Sequence, residues 1–147
     1  TPSRAAEIRA AVAANFAQAA GEVADAFTAE TGHAIVLSFG STGQLYAQIT
    51  QAAPFDLFLA ADQARPKQLV ADGLAIAESR FTYAVGRLVL WSAEPGVVTG
   101  VETLRGGAFE SLAIADPAAA PYGAAAIETL DALGLTAALR PSLVTAR

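Results

Sequence analysis

One pattern recurs in the first half of the chain and limits what it can fold into: an apolar run, a short loop of small residues, then apolar residues on a helical period. The segment from Ile8 to about Ala13 reads as a strand turning at Asn15, and Phe16, Ala20, Val23 and Phe27 follow at steps of four, three and four. Gly32 is the expected left-handed stop of that helix. Ala34 to Phe39 is a continuous apolar run of the kind buried in parallel sheets. It is followed by Gly40-Ser41-Thr42-Gly43 and by a helix carrying Leu45 and Ile49, which Pro54 stops. Phe55 to Ala61 is the third strand, and Asp62 is placed to cap a helix carrying Leu69 and Val70 and closed by Gly73. Strands alternating with helices at this spacing predict βα units, a parallel sheet and the α/β class.

The pattern changes further along. Phe81 to Ser92 is long, rich in β-formers and interrupted by Gly86, with a turn at Glu94-Pro95-Gly96. Leu112 to Ala115 reads as a short buried strand. A helix begins near Tyr122, with Ile127, Leu130 and Leu133 on one face and Gly134 at its end. A helical piece from Thr136 to Leu139 and a strand around Leu143 to Thr145 finish the chain. The expected organisation is a first lobe over residues 1–80 and a crossover with part of a second lobe over 81–147.

Composition narrows the function classes. The 147 residues are 54% hydrophobic and 16% charged, which is the balance of a well-buried globular protein. The net charge is −5 and the nine basic residues are scattered, so nucleic acid, which needs clustered positive charge, is not an expected partner. No apolar stretch approaches the roughly 18 residues of a membrane-spanning helix. The absence of Cys excludes disulfides, thiolate metal sites and Cys nucleophiles. The polar, small-residue start at Thr1 suits the mature end left by signal-peptide cleavage, which would place the protein outside the cytoplasm.

Three loops share one design, each leaving an apolar strand and opening a helix: Ala13-Ala14-Asn15-Phe16, Gly40-Ser41-Thr42-Gly43 and Ala120-Pro121-Tyr122-Gly123. A helix start presents unpaired N–H groups and partial positive charge, and loops at the carboxyl ends of parallel strands are where open α/β sheets bind ligands. Asn15, Ser41 and Thr42 add side-chain donors, so converging loops of this kind would make a neutral cage for an oxyanion. The same residues are also ordinary caps and turn formers, and the pattern alone leaves capped turn and anion loop equally open. Neither a Walker motif nor a dinucleotide-binding glycine fingerprint is present.

Other candidates are weaker. His33, the single His, reads as a surface position beside Gly32, and with no Cys or second His it cannot build a metal site. Asp56 and Asp62 flank the third strand, where an acid/base pair is conceivable, but Asp62 reads better as a helix cap. Asp116-Pro117 reads as a turn, and Tyr83 and Trp91 as core or hinge packing. No Ser-His-Asp arrangement is supported.

The order of "VAANF", "SFGSTGQLYAQI", "APFDLFLAAD", "SRFTYAVGRLVLWS" and "ADPAAAPYG" resembles the periplasmic molybdate-binding proteins of ABC importers from about Ile8 to Arg147. The resemblance implies a two-lobed class II periplasmic-binding-protein fold with an oxyanion held by neutral hydrogen-bond donors, without Arg, Lys, metal or cofactor. It implies a binding protein, not an enzyme, that takes molybdate, and tungstate similarly, to a membrane permease. By position it assigns binding roles to Asn15, Thr42 and the backbone of Tyr122, with Ser41 and Gly43 flanking. Ala14 stands where this branch can have a Thr, so one hydroxyl is missing. Family members are longer, and the chain stops before a segment that supplies a further donor, so an incomplete second lobe is expected. The alternatives are a binder of sulfate or phosphate, a fragment that binds nothing, and an enzyme using the loops as a phosphate cradle.

Overall fold

The computed structural model describes residues 5–146. The expectations attached to Thr1 and to Arg147 fall outside them. The chain divides into two compact units, Thr1–Tyr83 and Ala84–Arg147.

The first unit is a three-stranded parallel sheet in the order β2-β1-β3, with β1 at Glu7–Ala13, β2 at Ala34–Gly40 and β3 at Leu57–Leu59. Helices α1 (Ala17–Thr31), α2 (Thr42–Thr50) and α3 (Ala64–Ala71) follow the strands in turn. β1 is central, and Ala10, Ala11, Val12 and Ala13 are at most 2% exposed. A central parallel strand is covered on both faces, which is why it is an unbroken apolar run. Ala10, Val12 and Ala20 make the core cluster, with Phe16, Ile35, Leu37 and Leu59 packed against it. Leu45 anchors α2 from the same unit at 1% exposure.

The helix ends follow the sequence. Gly32 takes φ 73° at the end of α1 and donates to the Thr28 carbonyl at 2.9 Å. After α3, Gly73 is also left-handed, and Leu74 N–H reaches back to the Leu69 carbonyl at 2.8 Å. The face of α1 keeps the expected Ala20 buried and Phe16 and Phe27 half-buried, but its third position is Ala24 and not Val23, which is 61% exposed. The short alanines admit close approach to the sheet, and the stripe turns by one residue.

Two further differences have physical causes. The third strand is shorter than Phe55 to Ala61, because after Leu59 the backbone is satisfied by side chains and not by a ladder: Tyr83 donates to the Ala60 carbonyl and Ala61 N–H donates to Thr42 Oγ1. Asp62, expected as the N-cap, stands one residue before it: the N-cap of α3 is Gln63, and Asp62 Oδ1 accepts from Arg65 N–H in the first turn at 2.9 Å.

The second unit contains a parallel pair, β4 (Leu112–Ala115) and β5 (Leu143–Ala146), with helices α4 (Val101–Gly106), α5 (Pro121–Ala132) and α6 (Thr136–Leu139). Leu130 and Leu139 are its buried leucines. The sequence reading missed α4, a short helix between Gly100 at φ 112° and Gly107 at φ 60°, with an Arg105–Glu102 ion pair. The β-rich reading of Phe81 to Ser92 is corrected: no strand is present there among the described residues. β-propensity expresses packing against neighbouring strands, and among the described residues no strand pairs with this segment. Trp91, read from sequence as core or hinge packing, is 77% exposed.

Truncating Leu45 to Ala should lower stability by about 2–5 kcal/mol through lost contacts and a residual cavity. Val23→Ala on the exposed face of α1 should stay within about 0.5 kcal/mol. Urea unfolding of both variants checks the pair.

Candidate functional site

The parallel register places the first two loops side by side. Ala13 pairs with Gly40 at the last position of the β1–β2 ladder, so Ala14 and Ser41 leave the same edge of the sheet. β3 ends at that edge too, since Val12 pairs with Leu59. Ala14, Asn15, Ser41, Thr42 and Gly43 are therefore gathered in the first unit, and Tyr122 occupies the corresponding strand-to-helix position of the second.

At the first loop, Ala14–Phe16 form one 3-10 turn that runs directly into α1, with Ala14 and Asn15 exposed. No side-chain bond caps this turn or α1.

The second loop divides its work by residue. Ser41 is the N-cap of α2: its hydroxyl accepts from Gln44 N–H, and the Gln44 side chain accepts from Ser41 N–H at 3.2 Å. This reciprocal capping box satisfies two donors internally. Ser41 is thus a cap, and its N–H is engaged. The N–H groups of Thr42 and Gly43, in the first turn of α2, have no bond to a described residue, as a helix start dictates.

Thr42 is the one buried polar residue of the described core, 1% exposed, and its Oγ1 accepts from Ala61 N–H at 3.0 Å. A hydroxyl has two acceptor lone pairs and a single proton. With a lone pair engaged by Ala61, the proton remains for an acceptor. Around this edge the nearby charge is self-compensated, because Arg65 pairs with Asp62 at 2.6 Å. The donors at Thr42 and Gly43 are neutral.

The third loop leaves β4 through a tight turn in which Ala119 and Ala120 N–H donate to the Asp116 carbonyl and Asp116 Oδ1 accepts from Ala118 N–H. Asp116 is the turn former expected of it. Pro121 opens α5 at its first position, and no side chain caps the helix. Gly123 is buried, and a Cβ there would overlap the Ala115 carbonyl, so the helix start sits directly against the strand end. Gly86 serves the Tyr122 side chain similarly, since a Cβ at 86 would overlap the phenol.

The remaining candidates have structural roles. His33 Nδ1 accepts from Ala6 N–H at 3.1 Å. Asp56 pairs with Arg9 twice, its N–H donating to the Arg9 carbonyl and its Oδ2 accepting from Arg9 N–H, which extends the β1–β3 ladder. Among the described residues, no group of acidic and His side chains could hold a metal ion. The sequence reading missed Gln44, Ala61 and Gly86. The Ser41-x-x-Gln44 spacing carries a readable capping-box signal; the other two act through long-range contacts that leave no local mark.

Each unit is built on a parallel sheet flanked by helices, with neutral N–H and hydroxyl groups at the strand ends. The bacterial extracellular solute-binding protein family matches residues 8–147, and the chain belongs to that family. Its sequence is 52% identical over 146 residues to the molybdate-binding protein ModA of Rhodobacter capsulatus, covering 99% of this chain and 58% of that protein. Among solved structures, the periplasmic molybdate-binding protein of Azotobacter vinelandii matches with a TM-score of 0.90 at 42% identity, over 95% of this chain and 62% of that one. The substrate-binding domain of a putative molybdenum ABC transporter from Clostridium difficile matches with a TM-score of 0.73 at 27% identity, over 97% and 63%. The chain thus spans less than two thirds of the length of each of these relatives.

The capping box yields a stability prediction. Ser41→Ala should cost about 1 kcal/mol, whereas Ser41→Gly should cost only a few tenths, because glycine is tolerated at this position. Thermal unfolding of the two variants distinguishes a cap from a residue whose role is ligand contact alone.

Proposed function

We propose that this chain is the oxyanion-binding part of an extracytoplasmic substrate-binding protein that captures molybdate, and tungstate similarly, for an ABC importer. The observation that carries the proposal is the Thr42 corner: a buried hydroxyl with its proton unassigned, beside two unpartnered N–H groups at a helix start, in a chain half identical to named molybdate-binding proteins. In this reading residues 1–80 belong to the first lobe and 81–147 to the crossover and part of the second.

Thr42 supplies its hydroxyl and N–H, Gly43 its N–H and Asn15 its amide, and the Tyr122 N–H is proposed as a further donor of the second unit. Ala14 contributes backbone only. Ser41 shapes the loop through its cap. Neutral donors hold a dianion well when water is excluded, since hydrogen bonds to a charged acceptor are about twice as strong as neutral ones. Tetrahedral dianions present the same acceptors, so the choice of molybdate over sulfate rests on the size of the cage. The bound form is then read by a membrane permease. Binding and not turnover is proposed, because the Thr42 hydroxyl receives a backbone N–H and the neighbouring Asp62 is committed to Arg65.

Calorimetric titration with molybdate tests this, supported by melting shifts. Ligand at about 100 times Kd should stabilise the folded protein by about 2.7 kcal/mol. Thr42→Val, which keeps the shape and removes the hydroxyl, should weaken binding at least about tenfold, the range of hydrogen bonds to charged groups. Silence at millimolar molybdate, both in this chain and in a longer version matching the length of its relatives, would sink the reading. Tighter binding of sulfate than of molybdate would reassign the ligand.

A further inference from the structure

Tyr83 lies at the end of the first unit, far in sequence from the strand-end loops, yet it touches two of them. Its hydroxyl donates to the Ala60 carbonyl at 2.9 Å. Its ring packs on Phe16, with centroids 5.0 Å apart and planes inclined at 55°. Phe16 directly follows Asn15 in the first loop, and Ala60 directly precedes Ala61, whose N–H donates to Thr42 Oγ1. One side chain therefore joins the loop after β1 to the loop after β3, and the N–H of the same Ala60–Ala61 peptide joins that loop to Thr42.

We propose that Tyr83 is a positioning residue for oxyanion binding, acting on Thr42 through the Ala60–Ala61 peptide. The inference rests on the oxyanion reading above. The hydroxyl rotor of Thr42 would otherwise be free to turn. An incoming N–H occupies one lone pair and directs the proton away from Ala61. The direction of that N–H depends on the plane of the peptide it belongs to, and the Ala60 carbonyl of that same peptide is held by the phenol. Linked bonds of this kind polarise and fix one another. The ring contact with Phe16, of the tilted geometry aromatic pairs prefer, keeps the phenol over the loop and ties the first loop to the same anchor.

Tyr83→Phe keeps the ring and removes only the hydroxyl, so it separates the tie from the packing. The readouts are amide hydrogen exchange at Ala61 in the ligand-free chain and calorimetric affinity for molybdate. We expect Ala61 exchange to accelerate, and affinity to fall, each by about three- to tenfold, the range of one net hydrogen bond. In a Thr42→Val background, which has no hydroxyl to orient, Tyr83→Phe should add no further loss of affinity. In a Thr42→Ser background, which retains the hydroxyl, the loss should persist. Equal losses in the Val and Ser backgrounds, or unchanged Ala61 exchange, overturn the proposal. A wild-type chain and longer version both silent toward molybdate overturn the functional reading and the affinity consequence with it, while Ala61 exchange still decides whether Tyr83 holds the peptide.

Discussion

The parallel pairing of β1 with β2 and β3 is the constraint on which the first unit depends. In a parallel sheet every strand ends at the same edge, and the register Ala13 with Gly40, Val12 with Leu59, brings three chain exits together within one residue step of one another. No loop sequence could gather donors from residues 15, 42 and 61 without that alignment. The register is in turn held by burial. Ala10 to Ala13 lose nearly all contact with water, and a slip by one residue would carry each side chain to the opposite face.

A helix start has more donors than its own helix can use, and proteins satisfy them with caps, water or ligands. The second loop uses two of these solutions in succession. The Ser41–Gln44 box closes off the donors of Ser41 and Gln44, leaving those of Thr42 and Gly43 between them. Capping and binding, which compete as explanations of a Gly-Ser-Thr-Gly loop, fall to different residues of that loop in the proposed function: Ser41 caps, and Thr42 and Gly43 keep donors for a ligand. The third loop opens its helix by another route, with Pro121 in place of a polar cap and Gly123 removing the bulk between helix and strand.

Most of the βα pattern was legible because it is local. The apolar runs of β1, β2 and β4, the stops at Gly32, Gly73 and Gly134, and α6 at Thr136–Leu139 follow from periodicity and turn chemistry. Three things were not legible. Phe81 to Ser92 has the composition of a strand, but a strand exists only beside a partner, and composition does not report partners. The length of β3 depended on Tyr83 and Thr42 taking over Ala60 and Ala61, contacts spanning 23 and 19 residues. The inward stripe of α1 fell on Ala24 and not Val23, because the fit of helix to sheet decided it where hydropathy pointed elsewhere. At the candidate site the residue types and their loops could be read, whereas the division between cap and donor could not, since Ser41 and Thr42 are chemically alike and differ only in where each hydroxyl points.

The capping box also bears on time. A loop held at both its serine N–H and its serine hydroxyl is shaped by its own bonds, so in the proposed function capture would not wait for that loop to order. For the proposed oxyanion ligand, the first encounter would be slowed by the field of the chain, which carries a net charge of −5 with no cluster of basic residues to draw an anion in. For a dianion approaching this edge, dissolved salt is therefore an aid: it screens a repulsion and leaves the short neutral contacts of the bound state almost untouched.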